Sequence, residues 1–199
     1  MNNKLVSKIY YSIGNIYNKL KNYNKVIENL KLAIEKDKSN SEAYFNLGNC
    51  LCEIGDYYNA KIANEYCIKF DNNNALAYNN LAYLYMIEKD YINAKINVEK
   101  ALLIKPEHKG AYLNLGLIYF YTKDYKKAEQ IFESLYKETP TNISVIYNLG
   151  LTYSVQFEKI EFALEKFNEI LKIDSLHELA KEKISDLNES FDYIRRICD

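Results

Sequence analysis

An all-α chain built as an α-solenoid of five helix-turn-helix units and closed by one further helix is what this sequence predicts. Three observations lead there. A small residue returns every 34 positions, at Gly14, Gly48, Ala82, Gly116 and Gly150. An apolar pattern at helical spacing surrounds each of them. The composition is poor in residues that turn chains sharply, with 6 Gly and 2 Pro, and rich in rings, with 20 Tyr and 8 Phe in 199 residues, which favours helices over a loop-rich β design.

The match extends over whole units: SEAYFNLGNCLCEIGDYYNAKIANEYCIKFDNNN and KGAYLNLGLIYFYTKDYKKAEQIFESLYKETPTN align without a gap. In each unit a first helix, A, carries the small residue and then Tyr17, Leu51, Tyr85, Tyr119 or Tyr153 three positions on. A short polar corner follows, Lys21-Asn22, Gly55-Asp56, Lys89-Asp90 and Lys123-Asp124, whose Asn or Asp is placed to cap the next helix. Helix B presents Val26, Ala60, Ala94, Ala128 and Ala163 at its first contact position. Leu30, Asn64, Val98, Phe132 and Phe167 follow, then Ala33, Cys67, Ala101, Leu135 and Ile170. Small residues at two points let A and B approach closely while the larger ones fill the remaining space. Pro106 and Pro140 stand just after helix B, where they stop it without breaking it. Two positions depart from the pattern. The fifth corner, QFEKIEF, holds one extra residue before Ala163, which predicts an altered turn. Asn64 occupies a position otherwise apolar, which either loosens the second unit or brings in a polar contact.

The period, the Gly or Ala, the Tyr, the small pair on helix B and the terminal Pro together resemble the tetratricopeptide repeat (TPR). The resemblance implies a right-handed α-solenoid over residues 1–177, with units at 7–40, 41–74, 75–108, 109–142 and 143–177. Residues 178–199 remain, and Ala180, Ile184, Leu187, Phe191 and Ile194 fall on one face of a helix from about Glu178 to Arg196. That stripe reads as a cap over the open end of the solenoid, the alternative being a dock for a second copy of the chain.

Composition also limits function. A formal net charge of -1 lacks the electrostatic footprint of a nucleic-acid binder and offers no general attraction to anionic membranes. The N-terminus has no apolar core of a secretory signal, and no stretch approaches the roughly 18 apolar residues of a membrane span. Cys50, Cys52, Cys67 and Cys198 show no CxxC spacing and no disulfide framework, so a cytoplasmic location is expected. His108 and His177 fall at unit boundaries without a Ser or Cys companion and read as solvated corner residues. Cys50 and Cys52, two apart on a helix, cannot chelate one metal, and Cys67 sits where a small core residue belongs. Phosphate loops, HExxH and GxSxG are absent. No enzyme activity, cofactor or metal is expected.

The resemblance implies that helices A line a concave groove, with the second, fifth, sixth, ninth, twelfth and thirteenth positions of each unit facing inward. Fifth positions are Tyr11, Phe45, Asn79, Leu113 and Tyr147, and ninth positions are Asn15, Asn49, Tyr83, Leu117 and Leu151. Met86, Ile87, Phe120, Tyr121 and Val155 come from the twelfth and thirteenth, so this face carries almost no charge from the third unit onward. An open apolar face marks an interaction site; the competing account is that part of it is core or lies beneath the C-terminal helix. Sixth positions are Ser12, Asn46, Asn80, Asn114 and Asn148. Helices pack roughly 8–10 Å apart and an extended peptide advances roughly 3.3–3.6 Å per residue, so each Asn would meet about every third residue of a bound chain. Similar asparagine ladders hold extended peptides in the repeat domain of the O-linked N-acetylglucosamine transferase. Family habit and the Asn-rich composition explain the same row equally well.

The Hsp70 and Hsp90 co-chaperones of this family grip a C-terminal carboxylate with basic residues. Asn15 and Asn46 match that clamp, but Tyr11, Leu76 and Asn80 stand where it needs charge, so a chaperone-tail receptor is not expected. The expected function is a non-enzymatic protein-protein interaction scaffold that binds a peptide or partner helix, of unknown identity, against Phe45, Tyr83, Leu113, Leu117, Tyr147 and Leu151, with the asparagines holding backbone in register. Alternatives are a self-assembling structural repeat protein and the targeting subunit of a larger enzyme.

Overall fold

In the computed structural model, which describes residues 2–198, alternating cap residues and apolar runs produce eleven α-helices and, among the described residues, no strand. The five repeats supply α1 (Asn3–Lys19), α2 (Tyr23–Lys36), α3 (Ser41–Glu53), α4 (Tyr57–Phe70), α5 (Ala75–Ile87), α6 (Tyr91–Ile104), α7 (Lys109–Tyr121), α8 (Tyr125–Glu138), α9 (Ile143–Ser154) and α10 (Ile160–Ile173). The last helix, α11, runs Glu178–Cys198. The chain divides into two compact units, Met1–Ala111 and Tyr112–Asp199, the division falling within α7.

The first four corners share one local design. Lys21, Gly55, Lys89 and Lys123 take left-handed backbone, with φ of 54°, 79°, 59° and 64°. The next residue's N–H then reaches back to the carbonyl of Tyr17, Leu51, Tyr85 or Tyr119, which closes helix A. That same residue, Asn22, Asp56, Asp90 or Asp124, accepts from the third backbone N–H of helix B at 3.0–3.3 Å, as the corner pattern predicts.

The fifth corner differs, as its extra residue predicts. A single 3-10 turn, Phe157–Lys159, leads into α10, and neither Gln156 nor Lys159 supplies a side-chain cap. Tertiary bonds to α8 take the cap's place: Gln156 Nε2 donates to Glu129 Oε2 at 3.0 Å, and Lys159 pairs with Glu129 Oε1.

All fifteen predicted helix B contact positions are buried. In the first unit Val26, Leu30, Ala33, Leu47, Leu51 and Leu84 join one core. In the second, Phe132, Leu135, Ile146, Leu149, Phe167 and Ile170 do so, joined by Ala180 of α11. Ile184 and Leu187 are half-buried against that core, and α11 packs on α10; the side chains of Phe191 and Ile194 lie outside the described residues. The small residue on helix A is required by its partner on helix B. A Cβ on Gly116 would lie 2.6 Å from the Phe132 ring, and one on Gly48 would lie 2.4 Å from Asn64 Nδ2. In the third repeat, where Ala82 does carry a Cβ, the register counterpart of Phe132 is the smaller Val98.

Candidate functional site

Helix A is the element on which the predicted binding residues sit, and its two faces divide as the 3.6-residue period requires. Leu47, Gly48 and Leu51 turn into the core, which leaves Asn46 and Asn49 of α3 half-buried beside it.

In the first unit the asparagines are joined laterally. Asn46 Nδ2 donates to Asn15 Oδ1 at 2.7 Å and to the Tyr11 hydroxyl at 3.2 Å. One repeat later, Asn80 Nδ2 donates to Asn49 Oδ1 at 2.6 Å and to Asn64 Oδ1 at 3.3 Å. Each sixth-position amide is thus held by the ninth-position amide of the preceding repeat, and its two N–H bonds are used inside the protein. Asn64, fully buried, donates to the Ala60 carbonyl at 2.8 Å, so the odd residue of helix B brings in a polar contact and anchors the second pair.

This second pair lies in an open pocket of about 560 Å³, lined by Asn49, Asn80 and Tyr83 together with Asn18, Lys21, Tyr23, Cys50, Cys52 and Glu53. Burial raises the Cys50 and Cys52 thiols, with the Glu53 charge adding to it, so neither is a reactive thiolate. Burial, then Tyr57 beside it, raises the Tyr83 phenol, which stays neutral. Sequence reasoning missed Lys21 and Tyr23 as pocket residues, because they come from the corner and the start of helix B, whereas Glu53 stands at a thirteenth, inward position but was not singled out. Phe45 and Asn79 are half-buried and do not line this pocket.

The second unit arranges its residues differently. Leu113, Leu117, Tyr147 and Leu151 are half-buried and pack on the unit's own core. The Tyr147 ring meets Phe167 edge-on at 5.6 Å and His177 at 6.0 Å. Asn114 is buried, and Asn148 donates back to the Ser144 carbonyl of its own helix at 2.9 Å. The four asparagines therefore do not repeat one arrangement. Exposed apolar side chains of this unit include Tyr112 and Tyr121 on α7, the latter 53% exposed, and Val155, 46%, at the C-cap of α9.

Both histidines correct the expectation of solvated corners. Each is half-buried and caps a helix: the backbone N–H of Ala111 donates to His108 Nδ1 at 3.4 Å, and that of Ala180 to His177 Nδ1 at 3.2 Å. Asn2, Asn40, Asn74 and Asn142 do the same work at the other starts of helix A, and His108 falls 34 residues after Asn74, so the register carried the signal. Cys67 is fully buried, its thiol pushed up to about 11 by burial and then by Asp71, as a small core residue should be. Among the described residues, no three His, Cys, Asp or Glu side chains are placed to hold a metal ion, and no helix is long and apolar enough to cross a membrane.

Two family models match, one described as TPR repeat over residues 14–55 and one as tetratricopeptide repeat over 75–108 and 110–142. Among solved structures, pilF of Pseudomonas aeruginosa is 18% identical with a TM-score of 0.78, covering 96% of this chain and 87% of that one. MamA from Desulfovibrio magneticus RS-1 is 21% identical with a TM-score of 0.74, covering 86% of this chain and 96% of its own. YrrB, described as a TPR protein with an unusual peptide-binding site, is 21% identical with a TM-score of 0.69, over 87% of this chain and 89% of that one. No curated protein matches the chain. At these identities the structural likeness is one of fold, and it agrees with the repeat models: the chain belongs to the tetratricopeptide-repeat family.

Proposed function

We propose that this protein is a non-enzymatic interaction scaffold that takes a peptide or a partner helix on the face of its helices A. One observation carries the reading. The thirteenth position of helix A is charged in the first two repeats, Lys19 and Glu53, but is Ile87, Tyr121 and Val155 in the last three, all exposed. Tyr83, 44% exposed, and Ile87 in the first unit, and Tyr121 and Val155 in the second, each offer exposed apolar or aromatic surface on helix A or at its C-cap. Leu113, Leu117, Tyr147 and Leu151 of the second unit and Phe45 of the first are half-buried on helices A and are read as part of the same face. The peptide-binding site in YrrB's description supports the same kind of ligand.

The test is affinity capture from the native lysate with wild type beside a Tyr83→Ala, Tyr121→Asp double variant, partners being identified by mass spectrometry. Both residues are exposed, so the variant should melt close to wild type by circular dichroism. A partner captured by wild type and lost by the folded variant is the expected result; an unchanged set of partners would sink the reading.

A second reading is self-assembly. It is favoured by α1 and its C-cap, which leave Leu5, Ile9, Ile16 and Leu20 exposed. Light scattering across a concentration series separates the two, since a monomer at high concentration removes assembly.

A further inference from the structure

The two amide pairs of the first unit are built alike, and each leaves one acceptor and one donor unused. In the pair of the pocket, Asn80 Nδ2 spends both hydrogens on Asn49 and Asn64, while Asn80 Oδ1 accepts nothing and Asn49 Nδ2 donates to nothing. In the pair one repeat earlier, Asn46 Nδ2 spends both hydrogens on Asn15 and Tyr11, leaving Asn46 Oδ1 and Asn15 Nδ2. Among the described residues His108 Nε2 is the one buried side-chain polar atom without a partner, so these four free atoms are open to solvent. Their orientations are locked from behind, by the buried Asn64 in one pair and by the Tyr11 hydroxyl in the other.

A free neutral acceptor and a free neutral donor on the same wall favour a group that both donates and accepts over one that does only one of these. A carboxylate has no proton for Asn80 Oδ1, and an ammonium has no lone pair for Asn49 Nδ2. A carboxamide has both: its carbonyl accepts from Asn49 Nδ2 while its own N–H donates to Asn80 Oδ1, which completes a closed set of three amides. Resting on the interaction reading above, we infer that the pocket at Asn49 and Asn80 is a socket for the carboxamide of a glutamine or asparagine in the partner chain. The Asn15 and Asn46 pair is a second socket one repeat away. At roughly 8–10 Å per helix and roughly 3.3–3.6 Å per extended residue, the preferred partner carries two carboxamides about three residues apart. The Tyr23 and Tyr83 rings lining the pocket suit the apolar stem of such a side chain.

The experiment follows the side-chain amide resonances of the full chain by 15N NMR. The probes are a soluble Gly/Ala/Ser peptide carrying two glutamines three residues apart, the same peptide with glutamates, and the same peptide with alanines. The glutamine peptide should shift the Asn15 and Asn49 side-chain amides and bind about tenfold more tightly than either control. Asn49→Asp keeps an acceptor for Asn80 and so preserves the network behind it, while replacing the donor. It should retain the melting temperature and lose the preference for glutamine. Equal binding of all three peptides would place peptide backbone at these asparagines and overturn the socket, and so would the absence of any shift at millimolar peptide. Partner capture that survives such a result leaves the broader interaction reading standing. Glutamine-dependent shifts in a protein whose capture ignores Tyr83 and Tyr121 would keep the socket and remove the apolar face.

Discussion

The second repeat and the fourth fill the same internal position in opposite ways. In the first unit the residue facing Gly48 is Asn64, held by the Ala60 carbonyl and by Asn80; in the second, the residue facing Gly116 is Phe132. Both are fully buried. The ring contributes stability through apolar area and dispersion. The amide contributes little net stability, because its bonds mostly replace bonds to water. What the amide does is hold Asn80, a residue of the pocket wall, in place. Through this one register position, the same backbone serves as core in one repeat and as the support of a polar surface in another.

Substitutions at the two positions test that contrast, and the largest effect belongs to the ring. Phe132→Ala is expected to cost about 3–5 kcal/mol, and Asn64→Ala only about 1–2 kcal/mol, because it removes less volume and leaves Asn80 accessible to water. Urea unfolding gives both, and equal losses would mean that the amide network stabilises as strongly as the aromatic core.

A smaller effect separates the capping histidines from the capping asparagines. Burial, reinforced by the positive charge of Lys105, holds the His108 imidazole below its ordinary 6.5, and its Nδ1 must be unprotonated to accept from Ala111. Because the folded pKa lies below the unfolded one, this contribution is complete above about pH 6.5 and is lost as pH falls through the folded value. His108→Asn, copying Asn74, keeps a cap that does not titrate. Its unfolding midpoint should therefore rise relative to wild type between about pH 7.5 and about pH 5, by up to about 1 kcal/mol. A difference independent of pH would show that the cap survives protonation.

The corners give the smallest change. Gly55→Ala forces a Cβ into left-handed backbone and should cost about 1 kcal/mol, while Lys89→Gly should relieve a similar strain and raise the melting temperature slightly. Opposite shifts in calorimetry are the expected pattern.

Much of this was readable from residue types alone. The helix B positions were legible because a 34-residue period superposes five copies, and a position apolar or small in nearly every copy has one place to go. Caps were legible because Asn and Asp at a corner have a specific local role. The lateral amide bonds were not, since they join the sixth position of one repeat to the ninth of another, and a column-by-column reading keeps those columns apart. The clue was that both columns hold asparagine only at Asn15 with Asn46 and at Asn49 with Asn80. Leu113, Leu117 and Leu151 look alike as inward residues whether they meet a partner or their own core; neighbours, not residue type, decide it.

The fifth corner has a consequence for how this chain could be lengthened, shortened or recombined. The first four corners are self-contained, each made by a left-handed residue and the side chain that follows it between helix A and helix B, so a repeat built on one carries its own turn wherever it is placed. The fifth leans on Glu129 of the repeat before it. In their turns the first four repeats are therefore self-sufficient, whereas the fifth borrows its turn from the fourth, and those two must be inherited, duplicated or transplanted together.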